Sequence, residues 1–297
     1  MMQARIEMSA VAHQNKFMAN TPESKNFRIG CQSWGYEDWI TQPGGDYIFY
    51  PPGTKKSDML SFYSKVFDTI EIDATLYGIP ASSTFEKWHD ETPDGFKFGL
   101  KTPREVTHDG RLSAATIPVM LEFVERSQIL KQKLGVFLIQ LPPSFDGSRE
   151  NGQHLREFLA ALPRGLDYAV EFRNQDWFID WTFEELEKNA VTLGLVEGPW
   201  LPREFMFEAV PKLTADFAYI RIMGERDLEK FDRIYRHRDE TLEQWAISIR
   251  QLKATNIYIY VDNYFEGFAP ETANKLRHLL GLPVSNASEF QEQRSLF

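Results

Sequence analysis

The sequence predicts an α/β fold, a single (β/α)8 barrel of the TIM type, from three observations. Eight short runs rich in β-branched and aromatic residues recur along its 297 residues. Segments of helical apolar period separate most of these runs, which is the pattern of βαβ units and a parallel sheet. The sequence also has no Gly-rich dinucleotide fingerprint after the first run and no Walker loop, which disfavours an open nucleotide-binding sheet.

The strand predictions rest on β-rich runs such as TIEIDATLYG and NIYIYVDN. Eight strands in a chain of this length fit a closed barrel better than an open doubly wound sheet. In chain order, the predicted strands are residues 27–34, 69–78, 96–103, 134–143, 168–174, 191–198, 217–224 and 256–263.

Helices are predicted between the strands from the spacing of apolar residues and from capping signals. Thr182 and Glu185 form a capping box, and Pro270 suits the first position of the last helix. Residues 199–212 give no clean helical period, so an irregular connection is expected between strands six and seven. The predicted helical segments are residues 57–67, 117–134, 155–162, 182–190, 242–252 and 270–280.

The chain is predicted to form one domain, because it shows no internal repeat and no linker. Residues 1–25 sustain no apolar period and are predicted to be a mobile N-terminal extension. Residues 26–284 would form the barrel, and residues 285–297 a C-terminal tail.

Composition and charge exclude several classes of partner. The formal net charge of −10 argues against non-specific nucleic-acid binding, which needs a basic footprint. The single cysteine, Cys31, cannot form an intrachain disulfide, and this fits a reducing cytoplasm. We find no signal-peptide core and no run of about 18 apolar residues, so we expect a cytoplasmic protein without membrane association. The oligomeric state stays open.

Polar and aromatic residues collect where the predicted strands end, which in such barrels is the face that carries catalytic groups. Glu171 and Arg173 lie two residues apart, so a β-strand would point both to one face. The residues at or just beyond strand ends are Trp34, Tyr36, Glu71, Asp73, Tyr77, Lys101, Arg104, His108, Gln140, Glu171, Arg173, Trp177, Arg221, Asp262 and Asn263. So many charges at strand ends predict a functional site there.

Several of these segments resemble the successive blocks of the YecE-like family, known as domain of unknown function 72. The resemblance covers roughly residues 27–283, and its blocks occur in the family's order. They include IGCQSWGYEDW, KTPREVTH, LIQLPPSF, AVEFRNQDWF, YIRIMG and YVDNYFEGFAPETA. It implies a TIM-type barrel and names no reaction. Asp73 stands where many relatives have Asn, and Asp262-Asn263 where an Asn pair is usual, so this chain carries extra negative charge.

The leading functional hypothesis is an enzyme that acts by acid/base chemistry on a small anionic molecule, for example a sugar phosphate. Lys101, Arg173 and Arg221 would bind its phosphate or carboxylate group, since arginine supplies forked hydrogen bonds. Glu71 or Glu171 would act as general acid or base. Three cations against two carboxylates predict a pocket of net positive charge. No cofactor is implied, and isomerase, lyase and hydrolase chemistry are all compatible.

The candidate site residues fall into two groups. The candidate catalytic residues are Glu71, Glu171, Lys101 and His108. His108 fits a structural hydrogen bond as well as a catalytic role. The candidate substrate-binding residues are Trp34, Tyr36, Asp73, Tyr77, Arg104, Gln140, Arg173, Trp177, Arg221, Asp262 and Asn263. The aromatic members would stack on a sugar or base, or serve as lids over the core.

Several alternatives stay open. The charges could form a structural ion-pair network, or bind a phosphorylated ligand or nucleic-acid end without catalysis. A glycosidase would use Glu71 and Glu171, although strands two and five lie far apart for a retaining mechanism. Carboxylates could bind Mg²⁺ or Mn²⁺, but the neighbouring cations would repel a metal, so none is predicted. Zinc is disfavoured because His108 alone among six histidines lies near a strand end.

Overall fold

All strands of the barrel run parallel and follow one another in chain order around it, which confirms the predicted fold class. The computed structural model describes residues 25–284 and 286–290. The strands are β1 (Asn26–Gln32), β2 (Thr69–Ile72), β3 (Lys97–Lys101), β4 (Leu134–Gln140), β5 (Asp167–Glu171), β6 (Thr192–Glu197), β7 (Phe217–Ile222) and β8 (Asn256–Val261). β8 pairs with β1 from Asn26↔Asn256 to Cys31↔Val261 and so closes the sheet.

The α-helices lie between the strands and bury their apolar faces against the outside of the barrel. They are α1 (Lys56–Val66), α2 (Ser82–Asp90), α3 (Ile117–Ser127), α4 (Arg149–Ala161), α5 (Asp180–Lys188), α6 (Arg203–Ala209), α7 (Asp239–Gln251), α8 (Asn263–Glu266) and α9 (Ala269–Leu279). The irregular connection predicted between β6 and β7 contains α6, a helix of only 7 residues that follows Pro202. No helix in residues 25–284 or 286–290 is long and apolar enough to cross a membrane.

The predicted terminal segments fall mostly beyond the described residues. Residues 1–24 of the N-terminal extension lie outside them, as do residues 285 and 291–297 of the predicted tail. The described part of the tail includes a short 3-10 turn, Ala287–Phe290.

The lower half of the barrel lumen is filled by large side chains. Tyr219 and Tyr260 pack with ring centroids 5.2 Å apart, and the Tyr260 hydroxyl lies 2.8 Å from Thr69 Oγ1. Gly99 makes room for them, since a Cβ there would lie 3.0 Å from the Tyr260 hydroxyl oxygen. This layer forms a floor, so a ligand in the barrel has access only to the carboxyl ends of the strands.

Candidate functional site

Arg221 lies at the centre of a charged cluster in the upper lumen. It comes from β7 and is only 1% exposed. Its Nη1 donates to Glu171 Oε2 at 2.6 Å, and its Nε and Nη2 donate to the carboxylate of Glu71 at 2.7–3.2 Å. Nη2 also donates to Gln32 Oε1 at 3.1 Å. All three guanidinium nitrogens therefore have acceptors.

The two glutamates of this cluster are acceptors with no exposed surface. Glu71 also accepts a hydrogen bond from the Tyr219 hydroxyl at 2.5 Å. Burial raises the pKa of Glu71, with Arg221 acting against it. Burial also favours the neutral form of Glu171, but Arg173 and Arg221 outweigh it and bring its pKa to about 2. Both predicted acid/base residues are thus enclosed by protein donors, a position poorly suited to proton exchange with a substrate.

Lys101 differs from Arg221 in how its donors are used. It lies at the end of β3 and is 4% exposed. Its Nζ is 3.5 Å from Asp73 Oδ1, and it donates no hydrogen bond to any residue that the structure describes. Burial lowers the pKa of Lys101, while Asp73 acts in the opposite direction. Asp73 is 36% exposed, so this carboxylate is reachable from solvent.

Arg173 is held on two sides. Its Nε donates to Glu171 Oε1 at 2.7 Å, which confirms that the two side chains share a face. Its guanidinium lies over the ring of Trp200, 3.3 Å from the ring centroid. Within the described part of the chain, its two Nη atoms donate no hydrogen bond. Arg173 therefore presents fixed and unused donors.

His108 and Arg104 lie in the loop after β3. His108 belongs to a π-helical turn, Glu105–Asp109, and its Nδ1 lies 2.8 Å from Thr107 Oγ1. Burial lowers the pKa of His108, and Lys101, Arg104 and Arg173 lower it further, so the ring is neutral at pH 7. Arg104 is exposed and forms a double hydrogen bond with Asp109, at 3.1 and 3.2 Å.

A second group of polar residues follows β8. Asp262 caps α8 through the backbone N–H of Tyr264, and Asn263 Oδ1 accepts from the backbone N–H of Ala269 at 2.9 Å. Burial raises the pKa of Asp262 to about 6, and nearby Asp73 adds to this effect. Burial also raises the pKa of Tyr36, whose hydroxyl lies within electrostatic reach of Asp262 and Asp73.

Three predicted aromatic residues do not join these charges. Tyr77 is 82% exposed, beyond the end of β2. Trp177 is buried between Phe145 and Phe172, and its Nε1 donates to the Phe145 carbonyl at 2.7 Å. Trp34 packs edge-on against Trp88 on α2. The structure therefore does not assemble the predicted stacking platform, and of its members only Tyr36 lies close to the site carboxylates.

Gln140 is the predicted site residue on β4. It is buried, and its Nε2 donates to the Leu141 carbonyl at 2.8 Å.

The charged groups at the mouth include more carboxylates than the prediction of a positive pocket assumed. The count of three cations against two carboxylates left out Asp73, which lies 3.5 Å from Lys101 and 3.9 Å from Arg221, and Asp262. With these two residues, four carboxyl groups lie beside the three cations. Asp73 and Asp262 join the cluster because the barrel closes, which brings β2 and β8 to either side of β1.

Comparison with known proteins assigns the chain to a family. The family model described as "Protein of unknown function DUF72" matches residues 28–295. The chain belongs to the DUF72 family. The resemblance to YecE-like proteins is thereby confirmed.

Named relatives and solved structures agree with this assignment. UPF0759 protein YunF of Bacillus subtilis (strain 168) is 25% identical over 285 residues, covering 89% of this chain and 98% of its own. UPF0759 protein YecE of Escherichia coli (strain K12) is 27% identical over 267 residues, covering 84% and 90%. A DUF72 family crystal structure from Thermotoga maritima MSB8 has a TM-score of 0.67 at 28% identity, covering 86% and 99%. One from Enterococcus faecalis V583 shares the fold, with a TM-score of 0.66 at 20% identity, covering 87% and 99%.

The carboxylates of this DUF72 protein are not arranged like a metal site. Arg221 stands between Glu71 and Glu171, so these oxygens face a guanidinium. Across residues 25–284 and 286–290, no group of three or more His, Cys, Asp or Glu side chains is placed to hold a metal ion.

Three residues of the cluster were absent from the predicted site. Gln32 ends β1 and accepts from Arg221, while its buried Nε2 has no hydrogen-bond partner among the described residues. Tyr219 lies two residues before Arg221 on β7, and that spacing could have identified it. Trp200 lies in the connection after β6. The sequence pattern there does not indicate that its ring reaches Arg173, because the contact depends on how the loop folds back.

Proposed function

We propose that this DUF72 protein is an enzyme that acts by acid/base chemistry on a small molecule with an anionic group, such as a sugar phosphate. The site would be the mouth of the barrel. One observation carries the proposal. Lys101 and Arg173 keep donors that no described residue accepts, while the neighbouring Arg221 has acceptors for all of its nitrogens.

Unused donors on cations that the fold holds in place favour an anionic ligand, because hydrogen bonds between charged groups are strong. Phosphate or carboxylate oxygens would supply acceptors to both groups. Arg173 is already oriented by Glu171 and Trp200, so little conformational freedom would be lost on binding. His108, neutral and close to these cations, would add a hydrogen bond without adding charge.

The acid/base role would pass from the glutamates to Asp262 and Asp73. A pKa of about 6 lets Asp262 exist in both protonation states near neutral pH, which suits proton transfer. Asp73 is partly exposed and lies beside Lys101, where a bound anionic group would place the rest of the molecule. Glu71 and Glu171 would instead fix Arg221 and Arg173.

The overall charge of the mouth bears on how the anion would be recognised. Because the carboxylates offset the cations, long-range attraction would be weak, and affinity would come from directional hydrogen bonds. We therefore expect phosphate binding to depend only modestly on ionic strength.

The same donors also support a second candidate function, a non-catalytic binder of phosphorylated ligands. The observation in its favour is that Glu71 and Glu171, the two predicted acid/base residues, are both fully buried. Asp262 distinguishes the two candidates, since a binder does not need its proton.

The test begins with inorganic phosphate as the probe, titrated into wild type while the melting temperature is measured. We expect stabilisation that grows with the logarithm of phosphate concentration. It should be lost in Arg173→Met and retained in Lys253→Met, which removes an exposed cation at the opposite end of the barrel. Absence of stabilisation in wild type would contradict the proposal.

Turnover is then measured by NMR on a panel of sugar phosphates. An enzyme should convert at least one of them, and Asp262→Asn should lose conversion while keeping phosphate-induced stabilisation. Stabilisation of wild type without conversion of any member would favour the binder.

A further inference from the structure

The seam between β1 and β2 is open at its lower end. These strands pair only at Cys31↔Ile70 and Gln32↔Glu71, whereas β1 pairs with β8 along six residues. Below these pairs, the Tyr63 hydroxyl stands between the strands. It accepts from the Cys31 backbone N–H at 2.8 Å and donates to the Thr69 carbonyl at 3.0 Å. A side chain thus replaces part of the backbone ladder.

A cavity of about 480 Å³ opens at this end of the seam, on the face opposite the mouth. Arg277 of α9 reaches it and donates from Nη2 to the Ile29 carbonyl, at 3.1 Å. The walls include Phe27, Phe67 and Leu282. This volume lies within the range of small-molecule sites.

Arg28 supplies the polar feature of this seam cavity. Its Nη1 donates to the Gly95 carbonyl at 2.9 Å and lies 3.4 Å from both the carbonyl and the carboxylate of Asp68. Its Nε and Nη2 donate to none of the residues that the structure describes. These two nitrogens form the edge with which arginine grips a carboxylate through two parallel hydrogen bonds. Arg277 Nε is also buried, and no residue in the described part of the chain accepts from it.

The charges around the seam cavity favour an anion. Arg28, Arg277 and Lys65 line it together with two acidic residues, Asp68 and Asp94, which leaves one excess positive charge. Asp68 lies 3.4 Å from Arg28 and 3.5 Å from Arg277, so both arginines share this carboxylate, and the excess charge already takes it into account.

We propose that the seam cavity is a second binding site, which takes a small organic acid with an apolar body. The carboxylate would lie on the free edge of Arg28, and the apolar part would pack against Phe27 and Leu282. This site is independent of the function proposed for the mouth, because it lies at the other end of β1 and β2.

The probe is benzoate, compared with benzamide, which has nearly the same shape but no charge. Binding to wild type is measured by calorimetry, and the residues affected by NMR. We expect benzoate to bind and to shift the signals of residues around Arg28, and benzamide to bind about tenfold more weakly or worse. Equal binding of both compounds, or binding of neither, would overturn the proposal.

Two variants test the location. Arg28→Met should abolish the benzoate-induced NMR shifts of residues around the seam cavity. Leu282→Trp fills the cavity without touching an ion pair, so it decides the question if Arg28→Met does not fold. Arg173→Met at the mouth is the matched control and should leave the benzoate affinity of the seam cavity, followed by the same NMR shifts, unchanged. Loss of benzoate binding in Arg173→Met, with retention in Leu282→Trp, would place the acid at the mouth and contradict the proposal.

Discussion

Arg221 and Lys101 are two buried cations at the same end of the barrel, yet their surroundings differ. Arg221 donates from all three nitrogens to two glutamates and a glutamine. Among the residues that the structure describes, Lys101 has one ion-pair partner, Asp73, at 3.5 Å. A cation with every donor used contributes to the scaffold, whereas a cation with donors left over is suited to a ligand. The mouth therefore has a structural half around Arg221 and a binding half around Lys101.

The largest effect should come from breaking the structural half. Arg221→Met leaves the buried Glu71 without its cation and leaves Glu171 with Arg173 alone, which should lower the free energy of unfolding by about 3–5 kcal/mol. Chemical denaturation measures this value. Arg104→Met removes an exposed arginine and serves as the control, with no resolvable change expected. A loss in Arg221→Met no larger than in Arg104→Met would show that the network is not structural.

Two carboxyl groups at the mouth, Glu171 and Asp262, differ in a similar way, and the pH dependence of the free energy of unfolding should show it. Glu171 is paired and has a pKa of about 2, so its contribution to stability is lost only as pH falls from about 4.5 through 2. Asp262 behaves oppositely. Its folded pKa of about 6 exceeds the ordinary 3.8, so its contribution is complete below pH 3.8 and is lost as pH rises through about 6.

For Asp262, the difference between the folded pKa of about 6 and the ordinary 3.8 corresponds to about 3 kcal/mol in the free energy of unfolding. In Asp262→Asn, this decline in the free energy of unfolding between pH 4 and 7 should be absent, so the variant should gain on wild type as pH rises. Denaturation curves at several pH values provide the measurement. Parallel wild-type and Asp262→Asn profiles would mean that Asp262 has an ordinary pKa.

A smaller effect should follow from loosening Arg173. Trp200→Leu removes the ring beneath its guanidinium, a contact that contributes up to about 2 kcal/mol when shielded from water. Phosphate affinity, measured by calorimetry, should therefore fall by about tenfold. Trp181→Leu removes a similar ring beneath Arg156, on α4, and should not change this affinity. Equal losses in the two variants would argue against a specific role for Trp200.

The sequence predicted the barrel because alternation of strand and helix is a local property that each segment carries by itself. It also predicted the shared face of Glu171 and Arg173, since side chains two residues apart in a strand point the same way. It predicted that these charges would meet across the lumen, but not that Arg221 would use all of its nitrogens on two glutamates and a glutamine, because that depends on exact distances. Trp177 illustrates the same limit. Its burial is decided by Phe145, which comes from a different loop.

The central claim is most directly tested by Lys101→Met, because it separates stability from binding in one variant. Removing a buried cation that has few partners among the described residues relieves its desolvation, and the buried Oδ1 of Asp73 keeps a second cation, Arg221, 3.9 Å away. The free energy of unfolding should therefore be unchanged or slightly higher than in wild type, while phosphate-induced stabilisation disappears. Lys253→Met should keep both properties. A Lys101→Met protein that is destabilised as strongly as Arg221→Met, or that still binds phosphate like wild type, would contradict the division of the mouth.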